Sequence, residues 1–304
     1  MTAPPARRSQ AVGGAAAGWL EAGAGPALVL VHGAGGAGAL WAPQLEGLAD
    51  VARVIAPDLP GHGPLAGRPR PTVAAYAAWL VQFLDALGLD RVVLGGHSMG
   101  GAVAQTLALE RPERLAGLVL VATGARLRVF ARILELLRDR PPEGRSLLRG
   151  LSYAPSTPAG RVAVADRVLR ETAPLVTLGD FLACDRFDVM ARVGAIRAPT
   201  LVVAGADDQL TPPRYARFLA AAIPGAETVE VPGAGHFPQL EQPERVNAAI
   251  RAFLAARPGL SGGASTGAGG AMRAGTPGHG AHAASTAGAD APAGAAPASR
   301  PATG

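Results

Sequence analysis

The sequence predicts an α/β protein: a mostly parallel, doubly wound sheet with a helical insertion. Three observations carry that prediction. Short apolar runs alternate with helix-patterned stretches along most of the chain, and repeated strand–helix units imply parallel strands covered on both faces. A Gly-x-Ser-x-Gly segment, Gly96-His97-Ser98-Met99-Gly100, joins one such run to the helix pattern that follows it. The alternation then stops at residue 124, gives way to an Arg-rich helical stretch, and resumes at residue 196.

The runs at 27–32, 53–57, 91–96, 117–122, 200–205 and 227–231 are apolar and short, as buried strands are. Between and after them, 39–49, 72–87, 99–110, 212–223 and 243–256 carry helical spacing. In the fourth of these helices Thr211 is placed as the N-cap and Pro212 at the first helical position. Residues 124–195 read as helices around Phe130–Leu137, Arg161–Arg170 and Asp180–Val193.

Chemistry concentrates where strands end. Ser98 follows Arg91-Val92-Val93-Leu94-Gly95 and precedes the helical run Ala102–Leu109. A sharp strand-to-helix turn there lifts a serine hydroxyl clear of the sheet, at the positive end of a helix. Leu28-Val29-Leu30-Val31 runs into His32-Gly33-Ala34-Gly35-Gly36, a loop whose N–H groups can approach a ligand closely. Acyl transfer needs two such donors at the oxygen that becomes negative, and Ala34 and Met99 N–H are the candidates. Thr200–Gly205 leads into Asp207-Asp208, and Val229–Val231 into Gly233-Ala234-Gly235-His236. Each feature alone has a plainer reading: a glycine-rich turn, a solvated pair of aspartates, a surface histidine. Together they give Ser98, Asp208 and His236 in the chain order nucleophile, acid, base.

On these stretches, with Asp58-Leu59-Pro60-Gly61-His62-Gly63 and Gly205–Pro212, the chain resembles the α/β-hydrolase family, in particular its cap-bearing esterase-like members. The matching stretches span about residues 15 to 257. One departure is visible, since Gly63-Pro64-Leu65 stands where the family usually has a serine two residues after that glycine. The resemblance implies a Ser98–His236–Asp208 triad with an oxyanion hole at Ala34 and Met99. It selects Asp208 over Asp207 because the acid precedes x-aliphatic-Thr-Pro. It divides the chain into 1–123 and 196–257 as hydrolase core and 124–195 as a helical cap inserted after the sixth strand, while composition sets off 258–304 as a low-complexity tail. It also implies antiparallel strands before residue 27, where no clear strand pattern is legible.

The function expected is hydrolysis of a small carboxylic ester, with no cofactor and no metal. The same triad serves carbon–carbon bond hydrolases, enol-lactonases and elimination-catalysing relatives. A different class, a small-molecule receptor with a slow triad, shares the fold, and turnover of a chromogenic ester separates it from the enzymes. A serine at the elbow argues against epoxide hydrolase and haloalkane dehalogenase chemistry.

Composition fits a cored enzyme, at 49% hydrophobic and 17% charged residues. All 28 basic residues are Arg, in a chain rich in Ala, Gly and Pro, which reads as codon bias rather than as nucleic-acid binding. No compact Arg run or nucleic-acid motif occurs. The 124–195 segment holds 12 Arg against 8 acidic residues, +4 of the formal net +5. The plain reading is a solvated helical face, the sharper one a field that favours anionic substrates. No apolar run reaches membrane-spanning length. Residues 7–18 are too weakly apolar for a signal peptide. A lone Cys184 excludes an internal disulfide and reads as a buried or wall-lining thiol. The cytoplasm is the expected location. His62 and His97 are expected to be structural. From Ser261 on there is no Leu, Ile, Val or aromatic residue, so 258–304 is expected to be disordered.

Overall fold

A computed structural model describes residues 4–65 and 67–257. The tail expected over 258–304 lies outside the described residues. Among the described residues eight strands form one sheet: β1 (Ala6–Val12), β2 (Ala15–Ala22), β3 (Ala27–Val31), β4 (Arg53–Pro57), β5 (Val92–His97), β6 (Leu115–Val121), β7 (Thr200–Gly205) and β8 (Glu227–Val231). Their spatial order is β1-β2-β4-β3-β5-β6-β7-β8. β2 runs antiparallel to β1 and β4, and every other pairing is parallel. The doubly wound α/β fold predicted from the sequence is therefore present.

The six sequence-predicted strands fall on β3 to β8. β1 and β2 are the strands the sequence left illegible. β1 presents Arg7, Arg8, Ser9 and Gln10 to solvent on both faces, so it lacks an apolar alternation. β2 opens with three alanines and a glycine, which carry little strand propensity. The signal that was there is the turn. Val12 pairs with Ala15, and Gly13 and Gly14 between them have φ +57° and +82°. A two-residue hairpin turn with both central residues at positive φ is what Gly-Gly favours.

Helices cover both faces. α1 (Ala42–Gly47) and α10 (Pro243–Ala255) pack over one face, where Trp41, Leu45, Val246, Ile250 and Phe253 meet Leu28, Val54, Val93 and Val203. α2 (Val73–Ala86), α3 (Met99–Glu110) and α8 (Pro213–Ala222) cover the other, around Tyr76, Phe83, Val103 and Leu219. β5 and β6 are buried at every position, which explains why they read as unbroken apolar runs rather than alternating ones. The helix predicted over 39–49 is instead a 3₁₀ turn, Gly38–Trp41, followed by α1. α8 begins at Pro213, so Thr211 is not its cap and Pro212 is not its first residue.

Between β6 and β7 lie four further helices: α4 (Ala131–Asp139), α5 (Pro141–Ser152), α6 (Ala159–Glu171) and α7 (Pro174–Asp185). They follow the sixth strand, at the sheet edge where β5, β7 and β8 also end. A short α9 (Pro238–Glu241) comes directly after His236. Among the described residues no helix is long and apolar enough to cross a membrane.

Candidate active site

Ser98 stands between the last residue of β5 and the first of α3, at φ 53° and ψ −116°. That backbone is costly for a residue with a Cβ and persists only when its surroundings impose it. They do so here. Ser98 N–H donates to Val121 O at 3.0 Å, and its carbonyl accepts from Gly101 N at 2.9 Å and the Thr123 hydroxyl at 2.8 Å. The flanking glycines are required by packing. A Cβ on Gly96 would lie 2.1 Å from Gly100 O, and one on Gly100 would lie 2.2 Å from Val31 O.

His236 arrives from the loop after β8, which turns at Gly233 (φ +66°). Its backbone is fixed from two sides: its N–H donates to Ser152 O at 2.6 Å, and its carbonyl accepts from His97 Nε2 at 2.7 Å. The Ser98 hydroxyl lies 3.0 Å from His236 Nε2, and His236 Nδ1 lies 2.9 Å from Asp208 Oδ2. The structure thus brings the three sequence-predicted residues into one hydrogen-bonded line, with Asp208 and His236 buried.

Asp208 is the aspartate in contact, while Asp207 is exposed and engages the loop through its backbone N–H alone, to Ala234 O at 2.9 Å. Asp208 Oδ1 accepts from Leu210 N at 2.8 Å and Thr211 N at 2.9 Å, and Oδ2 accepts the Thr211 hydroxyl at 2.6 Å. Thr211 therefore orients the acid instead of capping a helix. Burial pushes the Asp208 carboxyl upward, but His236 and the hydrogen bonds from His236 and Thr211 outweigh it and bring the pKa down to about 2. Asp208 is an anion at neutral pH, able to hold the His236 ring and stabilise its charged form. Ser98, His236 and Asp208 can thus pass a proton from hydroxyl to imidazole.

Ala34 follows β3, in a loop pressed against the serine. A Cβ on Gly33 would sit 3.2 Å from Ser98 Cβ. Among the described residues, neither Ala34 N–H nor Met99 N–H donates to another protein group. Both are free to meet a ligand oxygen. His97 is fully buried; burial first, and then its neighbour His236, lower its pKa to about 3, so it is neutral and structural. His62 is likewise buried, 2.8 Å from Asp180.

Two further buried carboxylates, Glu241 and Asp180, reach the site loops without any signal in the sequence. Glu241 Oε1 accepts from Gly235 N and Phe237 N, both at 3.0 Å, and so grips the backbone on either side of His236. Its Oε2 accepts from Ala154 N at 2.8 Å and from the Thr157 hydroxyl, tying the same loop to the inserted segment. Asp180, on α7, bonds Gly35 N at 2.8 Å. Neither carries a local motif; each is identifiable only from what it touches.

A cavity of about 510 Å³ opens over Ser98, His236 and Ala34, and Leu148, Leu169 and Phe181 of the inserted helices form its apolar wall. Arg145, Arg149 and Arg170 also reach it, but Arg149 pairs with Asp166 at 2.7 Å and Arg145 donates to Thr172 O at 2.6 Å. Arg132 and Arg140 of the same segment pair with Glu135 and Glu143. Of the three cavity-lining arginines only Arg149 has a carboxylate partner among the described residues, so the wall keeps positive charge from Arg145 and Arg170. Cys184 is buried beside the site, where burial first, then Asp180 and Asp185, push its thiol pKa far up. A thiol so placed is held in its protonated form, in keeping with the wall-lining reading. Among the described residues, no cluster of His, Cys, Asp or Glu is arranged to hold a metal ion.

The model of the Alpha/beta hydrolase family matches residues 28–249, which takes in the serine elbow, the acid loop and the histidine loop. The chain belongs to the alpha/beta hydrolase family. This hydrolase is 34% identical over 240 residues to the "Putative carbamate hydrolase RutD" of Caulobacter vibrioides, a match covering 75% of this chain and 89% of that protein. Among solved structures it is similar to a thermophilic esterase from Thermogutta terrifontis, at 31% identity and TM-score 0.75, covering 86% of this chain and all of that one. It is also similar to the enol-lactonase from Burkholderia xenovorans LB400, at 26% identity and TM-score 0.75, covering 82% of this chain and all of that one. The hydrolase is thus an enzyme of a family whose members are named for several different bonds.

Proposed function

We propose that this hydrolase cleaves a small carboxylic ester through an acyl-enzyme on Ser98. The observation that carries the reading is the Ser98–His236–Asp208 line, at 3.0 and 2.9 Å, on a strained elbow beneath an apolar cavity. Ser98 Oγ attacks the acyl carbon while His236 Nε2 takes its proton, and Asp208 stabilises the imidazolium so formed. The carbonyl oxygen becomes negative and is met by the N–H groups of Ala34 and Met99. His236 returns the proton to the departing alcohol. Water then attacks the acyl carbon while His236 takes its proton; the bond from that carbon to Ser98 Oγ breaks, His236 returns the proton to Ser98, and the acid leaves. The segment 124–195 acts as a cap whose helices shape the acyl or alcohol pocket, in keeping with the cavity wall that they supply.

An apolar wall around a serine suits an uncharged ester chain. The thermophilic esterase neighbour supports an open-chain ester, and the enol-lactonase neighbour supports a cyclic one by the same steps. Turnover of p-nitrophenyl esters of graded chain length, set against an enol-lactone, distinguishes the two. Ser98→Ala is expected to keep the fold and lower kcat by roughly 10³-fold or more. A fluorophosphonate is expected to label Ser98 alone. Near-normal turnover by a clean Ser98→Ala preparation would sink the assignment.

A further inference from the structure

Asp180 belongs to the inserted segment, yet its carboxylate is fully buried among residues of the core. Oδ2 accepts Gly35 N–H at 2.8 Å and lies 2.8 Å from His62 Nε2; Oδ1 accepts the Tyr76 hydroxyl at 2.8 Å. Gly35 sits in a tight turn. Gly36 N–H closes onto Gly33 O at 3.1 Å, and Gly35 has φ +67° at the third position, as a type II turn requires. Ala34 is the second residue of that turn. Thr177, one helical turn before Asp180, lies against the same glycine, and a Cβ on Gly35 would come within 3.0 Å of its hydroxyl.

We propose that Asp180 is a positioning residue for catalysis: by clamping Gly35 N–H it keeps the neighbouring Ala34 N–H aimed at the oxyanion, so that a complete oxyanion hole depends on docking of α7. The proposal rests on the assignment of Ala34 as an oxyanion donor. The physical need is plain. A glycine turn has several accessible peptide orientations, and a single turn bond does not choose among them. A donor stabilises developing charge only if it is oriented before the charge appears. A hydrogen bond to a buried carboxylate is about twice as strong as a neutral one and is shielded from water here. Tyr76 and His62 hold the same carboxylate from the core side, so the acceptor is itself fixed. Burial, followed by the Asp180 charge, pushes the Tyr76 pKa up, which keeps its hydroxyl a donor.

The test uses the full chain and an ester that the wild type turns over. Asp180→Ala is expected to lower kcat by about 10²-fold with KM held within about threefold, the pattern of a lost oxyanion donor. Its affinity for a trifluoromethyl ketone, which forms a tetrahedral adduct on serine, is expected to fall by a similar factor. Asp180→Asn leaves a neutral acceptor and is expected to lose roughly three- to tenfold in kcat at unchanged KM, because the bond weakens without disappearing. Wild-type kcat in folded Asp180→Ala overturns the proposal, and so does a loss expressed in KM alone. If Asp180→Ala does not fold, Asp180→Asn decides: a fall in kcat with KM held supports the clamp, and any other result overturns it. Ser98→Ala in parallel separates the two readings. Turnover that survives Ser98→Ala refutes the serine mechanism, whereas Ser98-dependent turnover indifferent to Asp180 refutes only the clamp.

Discussion

At the scale of single residues, adjacent aspartates differ completely in environment. Asp208 takes three hydrogen bonds from Leu210 and Thr211 and a fourth contact from His236, while Asp207 faces solvent. Asp208→Asn is expected to lower kcat by about 10⁴-fold, since an amide favours the wrong imidazole tautomer. Asp207→Asn is expected to stay within about threefold of wild type, because only its backbone is engaged and exposed polar changes cost little. Steady-state kinetics on the two variants checks the ranking, and the reverse order would move the acid to Asp207. Thr211 shows how a residue's type can be read correctly and its job wrongly. A threonine before Pro-Pro looks like a helix cap, but its hydroxyl turns back to Asp208, an acceptor that sequence spacing does not reveal.

At the scale of elements, glycines decide how closely strands, helices and loops meet. Gly100, in the first turn of α3, lets the helix approach the end of β3, where Val31 O would otherwise be 2.2 Å from a Cβ. Gly205, at the end of β7, lies under the histidine loop, with Gly235 O at 1.9 Å from the same hypothetical atom. Gly150, in α5, has open space around it. Gly100→Ala is therefore expected to cost about 3 kcal/mol or more by overpacking, or to prevent folding. Gly150→Ala is expected to stabilise by about 0.4–1 kcal/mol, since it removes only the freedom of the unfolded chain. Urea titrations of the two variants test both signs. A tolerated Gly100→Ala would mean that β3 and α3 can move apart.

At the scale of the molecule, buried histidines tie stability to pH. His32 and His97 are buried, and burial lowers both pKa values, with His62 adding for His32 and His236 for His97. Below about pH 6.5 the unfolded chain binds protons at these positions that the folded chain refuses. Stability is therefore expected to fall as pH drops from 6.5 toward 3, each histidine contributing a slope of up to about 1.4 kcal/mol per pH unit. Asp208 acts in a lower window. Its folded pKa, about 2, is below the ordinary 3.8, so its contribution is complete above 3.8 and lost as pH falls through 2. Urea midpoints at pH 7 and pH 5 measure the first effect, and His97→Gln is expected to flatten it. Equal midpoints at the two pH values would show that the histidines are protonated in the folded enzyme.

The sequence by itself determined the parallel part of the sheet, the serine elbow and the chain order of Ser98, Asp208 and His236. Fully buried strands must be apolar throughout, and a backbone forced through a sharp turn must have glycines at fixed offsets, so both leave marks within a few residues. The edge hairpin β1–β2 left only its Gly13-Gly14 turn, because an edge strand open to water needs no apolar pattern. Tertiary structure alone decided the roles of Glu241 and Asp180. Each is a polar side chain whose partner lies on another segment or behind a turn: Asp180 meets Gly35 across 145 positions, and Glu241 meets Ala154 across 87. The cost of burying a carboxylate is set by the donors around it, and those donors are brought together only by the fold.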